Sequence, residues 1–185
     1  AIQSKPSTIK NVLIPIESVQ EVIRPAKIKI AQREALMWNS PQQEAIAYGN
    51  VVHEIAASIY TQNDLPLALQ QALDTGLISA SQLPLVSHSL SQLVHHPDLV
   101  EAFAEENIVW NEQAILQPKA AVVKPDRIVQ RPSGEVILLD YKTGLPQPKH
   151  KQQLAEYQHA LSEMGFVVSK KLLVYLGDTP NIIHL

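Results

Sequence analysis

The stretch from Ala120 to Gly144 constrains this chain more than any other. Two runs rich in Val and Ile, around Val122–Val129 and Val136–Leu139, flank the polar segment Arg131-Pro132-Ser133-Gly134. Such a pattern predicts a β-hairpin. Pro132 suits the first central position of a type I turn, and Gly134 the left-handed position that closes a three-residue loop with a bulge. With that loop Arg131 faces Glu135, and counting back places Asp126 opposite Asp140, within a residue. Side chains alternate along a strand, so Asp140 and Lys142 share the face of Val136 and Leu138.

Two facing carboxylates repel each other, and one pKa must rise unless a cation or a shared proton intervenes. A divalent metal resolves the conflict, and hard oxygen ligands favour magnesium or manganese. Lys142 adds a positive charge beside the pair. The set suits metal-assisted hydrolysis of a phosphodiester, in which the lysine positions the attacking water or meets the developing negative charge. The plainer alternative is a surface hairpin with ordinary charges. The apolar run Val136–Leu139 argues against it, because a charge that follows a buried run needs a reason to be there.

Other stretches bear on the same chemistry. Ser40-Pro41-Gln42-Gln43 reads as a helix start, with Ser40 as N-cap and Pro41 at the first helical position. That helix is expected to run to about Tyr60, with Gly49, His53, Ala56 and Ala57 on one face. Small residues around one histidine permit close approach to a neighbouring element. A helix over Pro148–Met164 is expected to face the core with Leu154, Leu161 and Met164. His150, Gln153 and Tyr157 lie together on its neighbouring face.

Pro125-Asp126 and Asp140-Tyr141-Lys142 together resemble the core motif of the PD-(D/E)XK nuclease superfamily. The string Leu-Leu-Asp-Tyr-Lys-Thr-Gly, residues 138–144, resembles its RecB-type branch, the nuclease domains of bacterial helicase–nucleases. Gly49-Asn50-Val51-Val52-His53 is similar to the G-x-x-x-H motif of that branch, and Gln153-Leu154-Ala155-Glu156-Tyr157 to its Q-x-x-x-Y motif. The resemblance spans roughly residues 40 to 176. Lys124-Pro125 departs from the glycine and apolar residue more usual before the Asp. Pro125 also removes a ladder donor, which predicts an edge or a bulge there.

The resemblance implies a magnesium- or manganese-dependent deoxyribonuclease of the exonuclease kind, acting on DNA in recombination and repair beside a helicase portion or subunit. The residues themselves leave exo- and endonucleolytic cutting equally open. It further implies a metal held by His53, Asp126, Asp140 and the backbone carbonyl of Tyr141. Asp126, Asp140 and Lys142 would be catalytic, and Gln153 and Tyr157 would hold the lysine strand or touch the DNA backbone. Glu112 either points toward this site or is a solvent-facing strand charge. A second class of function is a nuclease-like module that binds DNA or a partner without cutting; such modules usually lose the Asp140 or Lys142 position, and both remain here. A third is hydrolysis of another phosphate ester, for which no Gly-rich phosphate loop is present. No serine, tyrosine or cysteine is placed with a base to act as a nucleophile.

Composition narrows the context. The chain has 185 residues, 45% hydrophobic and 18% charged, enough for one real core. With no cysteine, iron–sulfur clusters and disulfides are excluded. A net charge of -3 gives no global attraction for nucleic acid. No signal peptide or apolar run of about eighteen residues occurs, so a cytoplasmic protein with no membrane partner is expected. The chain begins on Ala1 and ends on Asn-Ile-Ile-His-Leu, from which a piece of a longer helicase–nuclease is expected.

The fold expected is α/β, a central mixed sheet flanked by helices as in restriction endonucleases, preceded by a helical segment. Residues 1–39 are expected to be an arm or linker and 40–185 the nuclease domain, helical over 40–104 and built on the sheet over 105–185. Further helices are expected from Asp64 to Gly76 and from Ser81 to His95, and a helical turn over Asp98–Ala104. Strands are expected near 108–116, 120–130, 135–142 and 171–176, with a last one, Asn181–Leu185, paired to its predecessor. His88, His95 and His96 are read as surface or helix-end residues.

Overall fold

A computed structural model describes residues 41–116, 122–177 and 179–185. The readings made for residues 1–39 and the Ser40 cap lie outside these. Five strands form the central sheet in the order β1-β4-β5-β6-β7: β1 (Ile108–Asn111), β4 (Arg127–Gln130), β5 (Val136–Lys142), β6 (Val168–Tyr175) and β7 (Asn181–His184). Only the β5–β6 pair is parallel. Its crossover is α4 (Pro148–Glu163), as a parallel connection requires. The mixed α/β sheet expected from the sequence is therefore the one observed.

The alternation of β5 explains the layering. Ile137, Leu139 and Tyr141 join one apolar cluster with α1 (Pro41–Ala56), α2 (Leu65–Asp74) and α3 (Leu83–Val94). Val136 and Leu138 join a second cluster with Leu154, Tyr157 and Leu161 of α4. Both faces of β5 are covered, so its run is continuously apolar rather than alternating. Each fully buried Leu or Ile contributes about 1.5–3 kcal/mol of transfer free energy.

The hairpin has the expected register. Gln130 pairs with Val136 and Arg127 with Leu139. Gly134 takes φ 88°, and the Arg131 N–H donates to the Glu135 carbonyl at 2.9 Å.

Two expected strands are broken. The 108–116 strand divides into β1 and β2 (Ile115–Leu116), and the 120–130 strand into β3 (Val122–Val123) and β4. β2 and β3 pair in a small sheet of their own. The breaks face each other, at 112–114 and 124–126. On one side Glu112 takes φ 53°, a left-handed conformation that interrupts the extended backbone of a strand. On the other, Pro125 lacks the ladder N–H. The result is a severed strand in the sheet interior, not the edge or bulge expected from Pro125.

Helix α1 also stops short of Tyr60. Ser58 and Ile59 N–H groups turn back three residues, to Ile55 and Ala56, which leaves the Ile59 and Tyr60 carbonyls free. Both accept from the buried Arg127 guanidinium, at 2.6 and 2.7 Å. Met164, expected in the core, is 58% exposed, because α4 ends at Glu163 and Met164 only caps it.

Candidate active site

The two strand breaks leave residues 112 and 126 at the end of the β1–β4 ladder, held to each other by the Glu112 N–H, which donates to the Asp126 carbonyl at 2.9 Å. Asp126 keeps its place by side chain: its Oδ2 accepts the Tyr141 backbone N–H at 2.7 Å. It therefore stands where the register predicts, across from Asp140. His53 reaches the same atom from α1, with Nε2 3.3 Å from Asp126 Oδ2 and 3.4 Å from Glu112 Oε1. Lys124 completes an ion pair with Glu112.

Close approach of α1 depends on Gly49. A Cβ there would lie 3.1 Å from Thr143 Cβ and closer still to the Thr143 methyl. The expected small face of α1 thus meets the segment just beyond β5, and His53, one turn on, is carried to the carboxylates.

Asp140 is 1% exposed. The Lys142 ammonium lies against its Oδ2 as an ion pair, yet neither carboxylate oxygen has a hydrogen bond of ordinary geometry. Burial first, and then the Asp126 charge, push the Asp140 carboxyl up to about 6, against the pull of Lys142. The hydrogen bond that His53 donates to the Asp126 carboxylate is the largest influence on it and holds its imidazole above the ordinary 6.5, against burial.

On α4 the polar flank is more buried than an ordinary helix surface. His150 and Tyr157 are each 6% exposed. Gln153 Nε2 donates to the Tyr157 hydroxyl, which burial pushes up to about 12. His150 Nδ1 lies 2.9 Å from the Tyr175 hydroxyl.

All of these groups except Gly49 and Tyr175 line one polar cavity of about 480 Å³, between the helix that carries His53 and the helix that carries Gln153. It unites His53, Asp126, Asp140, Tyr141, Lys142, Gln153 and Tyr157, the residues whose sequence context predicts a catalytic, metal-binding or supporting role. Glu112 belongs to it, which settles where that carboxylate points. Lys124 and His150 belong to it as well, although the sequence predicts a role for neither; it places His150 only on the helix face of Gln153 and Tyr157. The Tyr141 side chain turns away into the helical cluster, with its ring 5.7 Å from that of His53. His88 and His95 stay exposed and outside the cavity.

The donor set suits a hard divalent cation. His53, Glu112 and Asp126 each offer a ligand atom, all within 4.8 Å of one another. Buried oxygens of Glu112 and Asp140 lack hydrogen-bond partners, and such orphans are costly unless something else satisfies them.

A mixed sheet with one α-crossover, ending in paired carboxylates and a lysine, defines a restriction-endonuclease-like nuclease core. The chain belongs to the PD-(D/E)XK nuclease superfamily, whose family model matches residues 25–182. The crystal structure of SSO0001 is similar at 20% identity over 75% of this chain and 74% of that one, with a TM-score of 0.31. No curated protein matches the chain. Among the described residues, no helix is long and apolar enough to cross a membrane.

Proposed function

We propose that this chain is a magnesium- or manganese-dependent deoxyribonuclease that hydrolyses phosphodiester bonds. One observation carries the reading: Asp126 and Asp140 face each other at the end of a hairpin, with Lys142 beside them, in one cavity with His53 and Glu112. His53, Asp126, Asp140 and the Tyr141 carbonyl would hold the cation, joined by Glu112, which supplies a further carboxylate. When bound, a divalent cation shields phosphate charge and lowers the pKa of nearby water.

The chain's own residues do the rest. Lys142, which neutralises Asp140, is placed to orient the attacking water and to meet negative charge developing on the phosphate. Gln153 fixes the Tyr157 hydroxyl on the far wall, where the pair contacts the DNA backbone. Helix α4 and Gly49 keep the two walls at fixed separation. DNA degradation in Mg²⁺ or Mn²⁺, compared with Lys142→Ala, tests the reading. Cleavage lost in the variant supports it. An inactive wild type would leave the non-cutting module that binds DNA or a partner.

We further propose a RecB-type exonuclease module of a cytoplasmic helicase–nuclease in recombination and repair, with residues 40–185 as the nuclease domain and 1–39 as an arm or linker. The motif set Gly49/His53, Asp126, Asp140-Tyr141-Lys142 and Gln153/Tyr157 supports that branch. The net charge of -3 supports dependence on a motor, since a linked helicase raises the effective DNA concentration. The isolated chain is then expected to bind DNA in the micromolar range or weaker at physiological salt. Nanomolar binding in fluorescence anisotropy would favour a free-standing enzyme.

A further inference from the structure

His150 enters neither the metal set nor the motifs above, yet it lines the same cavity. It is 6% exposed and sits in the first turn of α4. Its Nδ1 is engaged by the Tyr175 hydroxyl at 2.9 Å, with the two rings 5.8 Å apart and tilted by 39°. Tyr175 in turn is the β6 partner of Lys142 in the parallel ladder. One strand pair and one hydrogen bond therefore bring His150 alongside Lys142. The anchor is built from core: Tyr175 is 5% exposed and packs with Leu154 and Leu173.

That anchor decides what the imidazole offers. With Nδ1 facing Tyr175, the edge left for a guest is Nε2. A phosphodiester oxygen only accepts hydrogen bonds, so it pairs with the tautomer bearing a proton on Nε2. The Tyr175 O–H donates to Nδ1 in that tautomer. Burial, and then the neighbouring Lys142 charge, hold His150 below its ordinary value. It is thus a neutral donor at neutral pH. A neutral donor adds no charge that would compete with a cation for the carboxylates.

We propose that His150 binds a nonbridging oxygen of the DNA phosphate through Nε2–H, beside Lys142, with Tyr175 as the residue that positions it. The inference rests on the nuclease reading for its substrate. Removing one such preorganised donor costs about a hundredfold in rate where the donor meets developing charge, and less where it only binds.

Three variants test it: His150→Leu, His150→Gln, whose amide can restore a donor, and Tyr175→Phe. Cleavage of a short single-stranded oligonucleotide in Mn²⁺ is measured alongside Mn²⁺ affinity by calorimetry and melting temperature. H150L is expected to cut ten- to a hundredfold more slowly with Mn²⁺ affinity unchanged. H150Q should recover at least a third of that loss, and Y175F should fall between wild type and H150L. A folded H150L cutting at wild-type rate overturns the proposal, as does equal impairment of H150L and H150Q with equally lowered melting temperatures. If wild type itself does not cut, the nuclease reading fails and binding decides this one. Anisotropy with the same oligonucleotide in EDTA should then show H150L three- to tenfold weaker than wild type, and H150Q closer to it. Equal affinities for all three overturn the proposal.

Discussion

The Asp126 carboxylate accepts the backbone N–H of Tyr141 at 2.7 Å. A side chain thereby takes over the ladder just where the main chain of its strand has left it. The bond orients Asp126 and ties it to the peptide that follows Asp140.

That dual role separates two substitutions. Asp126→Asn retains an acceptor for the Tyr141 amide, and Asp126→Ala does not. Both are expected to lose at least about a hundredfold in cleavage, as removal of a group that acts on the reacting centre does. Only the alanine variant should also lose about 1–3 kcal/mol of stability, from a donor left unpaired. Urea unfolding beside a cleavage assay reads the difference.

Asp140 predicts a pH dependence in metal-free protein. Its folded value, raised from 3.8 to about 6, means that the stability it contributes is fully present below the unfolded value and lost as pH rises through the folded one. His53, also raised, acts in the same direction above 6.5. Metal-free protein is therefore expected to lose stability as pH climbs from about 4 to 8, by up to about 3 kcal/mol for Asp140 alone. Asp140→Asn should flatten the lower part of that decline and, without metal, melt higher than wild type at pH 8. Thermal melts across this range, with chelator and with Mn²⁺, check it. Added Mn²⁺ should raise the melting temperature of wild type far more than that of the variant.

Gly49→Ala gains helix propensity of up to about 1 kcal/mol but places a methyl against Thr143. Overpacking costs about 1–3 kcal/mol, and the helix is expected to retreat and carry His53 from Asp126. Mn²⁺ affinity should fall along with stability. Adding Thr143→Ser removes the crowding methyl, so the double variant should regain most of both. A double-mutant cycle by calorimetry and urea unfolding measures this coupling.

Arg127 carries a structural prediction. It is 0% exposed and, besides Ile59 and Tyr60, donates to the Ala102 carbonyl at 2.9 Å and to Asn111 Oδ1 at 3.1 Å. Its guanidinium lies 4.1 Å over the Phe103 ring. Arg127→Met keeps the volume but orphans several carbonyls, and should cost about 3 kcal/mol or more. Arg127→Lys lacks the planar fork and should recover only part of this. Urea midpoints report it.

Much of the hairpin was legible because its determinants are local. Pro132 and Gly134 set the turn, the turn sets the register, and the register sets Asp126 against Asp140. The strand breaks were half legible. Pro125 announces one side, but nothing in the identity of Glu112 foretells φ 53°. Arg127 was passed over because a charge next to Pro125-Asp126 reads as part of the motif. Its partners at 59, 60 and 102 are carbonyls, which leave no mark in a sequence. Helix α4 misled at one end: Met164 looked apolar enough for the core, while the burial of His150 and Tyr157 on the polar flank went unmarked by their identity. What decides both is the place where β6 passes beneath the helix, a tertiary fact.

The parallel pairing of β5 with β6 also bears on when the site comes into being. Asp140 is laid beside Leu173, and Lys142 beside Tyr175, so the strand bearing both has no complete lattice until residue 175 has left the ribosome. His53 emerges far earlier and waits. A nascent chain halted between Lys142 and β6 carries the carboxylates and the lysine but lacks the strand that pairs with theirs. On the nuclease reading, translation products that end before β6 are expected to be inactive.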